Sequence, residues 1–126
     1  MKTVTIPLKK TFEATFLGET ITYRYLILTH YQTNGALGVI ASPVPSTETS
    51  DILILSVNLD HSDLLKDGYF AMYSTDIPQK VLDAVETAGI AEPTDGTMYS
   101  GFVDFPIWKL AEPYAKRWEK ALNNED

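Results

Sequence analysis

The sequence predicts an α+β domain, with a largely antiparallel sheet of four or five strands and two main helices, about 77–88 and 113–122, on one face. Three observations predict it. Strand-type segments succeed one another through the first half; helical periodicity appears only at 77–88 and 113–122; and no strand–helix–strand alternation of a parallel sheet occurs. A chain of 126 residues fits one domain, 1–126, and is long enough to bury a sizeable core.

Each element has its own signal. Phe12, Ala14 and Phe16 alternate with Thr11, Glu13 and Thr15, the period of a half-buried strand. Gly18-Glu19 turns the chain into Ile21–His30, rich in β-branched and aromatic residues and apolar on both faces at Leu26–Leu28. Asn34-Gly35 marks a hairpin, with Ala36–Ala41 returning until Pro43 and Pro45 end it. In Ile52–Leu59, Leu53, Leu55, Val57 and Leu59 share one side, with Ile54, Ser56 and Asn58 on the other. Ser62 is placed to cap a single turn closed by Gly68, and Tyr69–Tyr73 reads as a short strand.

Asp76 stands in capping position for a helix carrying Ile77, Val81, Leu82 and Val85 on one stripe, stopped by Gly89. Residues 91–101 read as turns, because Pro93, Asp95-Gly96 and Gly101 crowd them, and 102–105 as the last strand before Pro106. Pro113 starts the final helix, with Tyr114, Trp118 and Leu122 one turn apart, and Asn123–Asp126 are expected to fray.

Composition narrows the chemistry. With no cysteine, disulfides, thiolate metal sites and cysteine nucleophiles are excluded. The segment Met1–Pro7 lacks the apolar stretch of a signal peptide and no apolar run approaches a membrane span, so the expectation is a cytoplasmic protein without a membrane partner. The net charge is −7, and it is uneven: 48–104 hold eleven acids and two bases, Lys66 and Lys80, while the rest holds six acids and eight bases. That balance opposes binding to nucleic-acid phosphates and favours a basic protein surface.

Catalytic patterns are sparse. Only His30 and His61 are present, and Asp60-His61-Ser62-Asp63 reads as turn chemistry rather than a metal cluster. No Gly-x-Ser-x-Gly elbow or phosphate-binding loop occurs. No cofactor or metal site is expected. The candidate binding residues are Asn58, Tyr73, Asp76, Tyr99, Phe102, Asp104 and Trp108: carboxylates and polar groups beside turns, and an aromatic run, Tyr99–Trp108, that is hard to reduce to packing alone.

Tyr31…Asn34-Gly35, Leu55-Ser-Val-Asn-Leu59, Tyr73-Ser-Thr-Asp-Ile-Pro78, Gly89-Ile-Ala-Glu-Pro-Thr94 and Ser100-Gly-Phe-Val-Asp-Phe-Pro106 are the segments that carry a resemblance. Together they resemble a family of small bacterial domains of unknown function encoded on plasmids and conjugative elements, over roughly residues 10–110. The chain departs from that pattern at Thr75-Asp76, where the family tends to have a small residue and an asparagine. The resemblance implies a fold and a genomic setting and carries over no catalytic residue. The leading expectation is therefore a cytoplasmic accessory protein of a mobile element that acts by protein–protein interaction rather than catalysis. The alternatives are a small-ligand binder or enzyme using carboxylates in a sheet–helix pocket, and an acidic mimic of DNA.

Overall fold

A computed structural model describes residues 3–123. It shows an α+β fold with eight strands: β1 Val4–Phe16, β2 Glu19–His30, β3 Leu37–Ser42, β4 Leu53–Ile54, β5 Ser56–Val57, β6 Tyr69–Met72, β7 Ala91–Ser100 and β8 Val103–Leu110. Helix α1 is Gln79–Thr87 and α2 is Tyr114–Asn123. Instead of one sheet of four or five strands there are two antiparallel four-stranded sheets, ordered β1-β2-β3-β4 and β5-β6-β8-β7.

β1 and β2 form a long hairpin closed by Leu17-Gly18, both at positive φ (50° and 81°). Positive φ at both loop residues matches the right-handed twist of the strands, and glycine adopts it freely where leucine does not. The register shifts between Pro7 and Phe12, so β1 carries extra residues against β2. Such a bulge rotates the strands, and the core-facing positions of β2 change parity across it, from Leu26 and Leu28 to Ile21 and Tyr23. Phe12 and Tyr23 stack there with ring centroids 4.9 Å apart.

The two sheets meet in the segment 53–57, expected from its alternation as a single strand. It begins as a neighbour of β3 (Leu53 opposite Ala41) and ends as a neighbour of β6 (Val57 opposite Ala71). Leu55 belongs to both: its N–H donates to the Val39 carbonyl (2.9 Å) and its carbonyl accepts from the Tyr73 N–H (2.8 Å). As the chain leaves β3, the Val39 N–H donates to the Ser56 side chain (2.9 Å) rather than to a backbone carbonyl. The expected outward Ser56 is consequently buried. The alternation survives, but its apolar side serves two cores: Leu53 and Leu55 join the main one, Val57 and Leu59 a second one on the opposite face of sheet two, with Ala71, Phe105 and Met98.

The largest departure from expectation is 91–101, which is strand β7, not a run of turns. As the outermost strand of its sheet it tolerates Pro93, and the register shift between Pro93 and Thr97 absorbs Asp95-Gly96. Pro106 does not end β8 either, because it lies past the residues of β8 that pair with β6. The hairpin turns through Gly101-Phe102 with positive φ at the first loop residue alone, the pattern of a type II′ turn.

Both helices contribute to the main core. Val81, Leu82 and Val85 of α1 are buried, and α1 packs on β1 and β7, the two strands at the far ends of the combined order. Tyr114 and Trp118 of α2 are buried, and the Tyr114 hydroxyl accepts from the Lys9 N–H in the β1 bulge (3.0 Å). Of the segment expected to fray, 124–126 lie outside the described residues.

Two stability outcomes are expected. Leu55→Ala, at a fully buried position between the sheets, should cost about 2–5 kcal/mol in urea unfolding, measured as a lower midpoint at unchanged slope. Leu17→Asn should instead raise stability by about 1 kcal/mol, because asparagine accepts the positive φ that leucine resists.

Candidate functional site

The expected site residues divide among three places. Asn58 belongs to a lock on the β2–β3 connection. Its Oδ1 accepts from Asn34 Nδ2 (2.9 Å) and its Nδ2 donates to the Thr33 hydroxyl (2.9 Å), while Asn34 Oδ1 accepts from the Ala36 N–H (3.0 Å). Beside it the Tyr31 hydroxyl lies 2.8 Å from Ser56 Oγ and donates to the Ser56 carbonyl (3.2 Å). These groups satisfy one another and fix the loop to the strand that joins the sheets.

Tyr73 and Asp76 lie together in the turn after β6, where the Asp76 N–H donates to the Tyr73 carbonyl (3.2 Å). Asp76 is not the helix cap its position suggested. Pro78 occupies the cap position with extended backbone, no side chain bonds there, and α1 starts at Gln79. The Asp76 carboxylate accepts from the Thr75 hydroxyl (3.5 Å), and the same carboxylate, first as hydrogen-bond acceptor and then by its charge, holds the Tyr73 phenol above its ordinary value of 10.0. Ser62 is likewise no cap, since its turn at Ser62–Leu64 has His61 in the cap position with no side-chain bond; Ser62 Oγ accepts from the Leu59 N–H (2.9 Å). His30 ends β2 with its ring 4.8 Å from that of Trp118, and among the described residues no group of three or more histidines or acids is arranged to hold a metal.

The third place is the end of the β7–β8 hairpin. Here the aromatic run separates by depth. Phe105 and Trp108 are buried, Trp108 opposite both Phe70 and Pro93. Tyr99 is 69% exposed, Phe102 fully exposed and Val103 39% exposed. Four cross-strand pairs, from Thr97–Pro106 to Ser100–Val103, lie beyond the last pairing with β6, so the ribbon runs on by roughly 10 Å. Its inner half is fastened by Met98 and Phe105. At its outer half, alternation puts Tyr99 with Asp104 on one face and Val103 on the other, with Phe102 at the turn.

The eleven acids of 48–104 are all exposed except the half-buried Asp51, and they stand on loops, on α1 and on the β7–β8 ribbon. Glu92 pairs with Lys109 (3.3 Å), an exposed ion pair of small energetic weight. The sequence offered no signal separating Phe102 from Phe105, and it missed Val103 and Leu17 as exposed apolar positions. Leu17 was visible only as the residue before the turn glycine.

No helix among the described residues is long and apolar enough to cross a membrane. The raised Tyr73 value gives a pH dependence. A phenol whose proton is held more tightly in the folded state contributes stability that is complete below pH 10 and is lost as pH rises through the folded value. Tyr23, raised first by burial and then by the charge of Asp51, acts in the same sense. Unfolding free energy should therefore fall above about pH 10. Phenolate absorbance should show one tyrosine moving back toward its ordinary value in Asp76→Asn.

Comparison with protein-family models, with curated proteins and with solved structures finds no match to this chain. Its function is therefore read from its own side chains.

Proposed function

We propose that this is a non-catalytic, cytoplasmic accessory protein that acts by binding a protein partner, and that the end of the β7–β8 hairpin is the contact. One observation carries the reading: three apolar side chains, Tyr99, Phe102 and Val103, stand exposed within five residues at the end of an ordered ribbon. A single exposed apolar residue is ordinary, but three at one hairpin end, two of them aromatic, have the composition of a binding hot spot. Burying each of the larger ones in a partner contributes about 1.5–3 kcal/mol. Asp104 beside Tyr99 and Asp95 in the β7 bulge make a basic rim on the partner the favourable match. The resemblance of the 55–59, 73–78 and 100–106 segments supports an accessory role on a mobile genetic element.

A carboxylate pocket made of Asn58, Tyr73, Asp76 and Asp104 is the less supported reading. These four serve separate local structures: the 31–36 lock, the 73–76 turn and the hairpin end.

The test is affinity capture of the tagged protein from its host beside Phe102→Asp and Tyr99→Ser. A stoichiometric partner should be retained by the parent chain and lost by both variants, whose unfolding midpoints stay unchanged. Retention of the partner by both variants would refute the hairpin contact; a bound metabolite with no partner would refute the interaction reading itself.

A further inference from the structure

A second unpartnered feature lies at the other sheet, where β2 outruns β3. Pairing of β2 with β3 stops at Tyr25–Ser42, while pairing with β1 continues to Glu19. The stretch from Glu19 to Arg24 therefore has a strand on one side only. Among the described residues the 43–52 loop makes no hydrogen bond to it. That loop satisfies itself, with Val44, Glu48 and Asp51 N–H groups donating to the hydroxyls of Ser42, Ser46 and Thr49.

Hairpin geometry decides which groups face outward. In a two-residue loop the closing pair, Phe16–Glu19, exchanges both backbone bonds, and bonded pairs then alternate with non-bonded ones. Thr20 and Thr22 fall in the non-bonded pairs, so their N–H and C=O groups point away from β1 into the free edge.

Beside this edge is a groove of about 390 Å³ with apolar walls from Phe16, Ile21, Ile52 and Leu53 and the Tyr23 ring. Among the described residues, the only charged ones lining it are Glu19 and Asp51, and no cation pairs with either. Asp51 lines the groove together with Tyr23, whose phenol is pushed up first by burial and then by the Asp51 charge. Leu17 stands on the rim, fully exposed and in the strained positive-φ conformation, a combination that folding alone does not favour.

We propose that this groove and edge receive an extended segment of a protein partner, added as a strand beside β2. The segment would place an apolar side chain in the groove and a lysine or arginine against Glu19 and Asp51. Backbone pairing with Thr20 and Thr22 supplies affinity, and the groove supplies side-chain selectivity. The row of unpaired backbone groups favours a peptide over a small amine, which leaves them unmatched. The two carboxylates disfavour a second copy of the same edge, which brings its own. This site is separate from the hairpin end and does not rest on it.

The test is an amide NMR titration of the full chain with a short amidated peptide of alternating threonine, whose groove-facing positions are valine and lysine. Saturable shifts are expected at Thr20, Thr22 and 50–53. Glutamate in place of lysine should weaken binding by about tenfold or more, a loss of ~1.4 kcal/mol. N-methylation of the edge-facing amides should abolish binding.

In the protein, Asp51→Lys should invert the charge preference and Thr22→Pro should abolish binding while keeping the bonds to β1. Leu17→Asn should weaken binding while the fold gains stability, and Phe102→Asp should change nothing. Absence of saturable shifts, equal binding of the glutamate peptide, or undiminished binding after N-methylation overturns the proposal. Concentration-dependent shifts at the same amides without peptide would overturn it too, naming a second copy as the occupant.

Discussion

The structure depends on one residue's backbone serving two sheets. Leu55 donates to Val39 in the first sheet and accepts from Tyr73 in the second, and its side chain is fully buried in the core they share. A strand that changes partners in mid-course ordinarily strands a donor on the neighbour it leaves. Here the Ser56 hydroxyl takes that donor from Val39, and Tyr31 and Asn58 hold the adjoining turn in place. A buried unmatched amide costs about 1–3 kcal/mol, so this polar group is a condition of the crossover and not an ornament of it.

The junction produces a scaffold whose exposed parts are well supported. The main core lies under both sheets, and α1 spans the two terminal strands, β1 and β7. The second core fixes the inner half of the β7–β8 ribbon through Phe105 and Met98. An aromatic end on an anchored ribbon loses little conformational entropy when it docks, which favours a binding role for Tyr99 and Phe102. At the first sheet the same logic applies to the part of the groove wall that Phe16, Ile21 and Tyr23 supply from β1 and β2.

Legibility in the sequence tracked locality. Phe12, Ala14 and Phe16, the stripe Val81–Leu82–Val85 and the pair Tyr114–Trp118 were readable, because each is a periodic pattern buried against one surface. β7 was not, since Pro93 and Asp95-Gly96 signal turns unless the strand is known to be outermost and bulged. Phe102 falls in the hairpin turn while Phe105 faces the second core from within β8, a difference of pairing rather than of residue type. Asp76 had the spacing of a cap, yet Pro78 moved the helix start beyond its reach. The groove arises from unequal strand lengths and could not be seen at all.

The shared strand is tested most directly by native-state hydrogen exchange across increasing urea. If Leu55 binds the sheets into one cooperative unit, the amides of Leu28, Leu55, Tyr73 and Trp108 should merge on a single, global opening free energy, with Phe102 exchanging freely. If β6–β8 instead open at a distinctly lower free energy while β1–β3 stay protected, the two sheets are independent units and Leu55 does not join them.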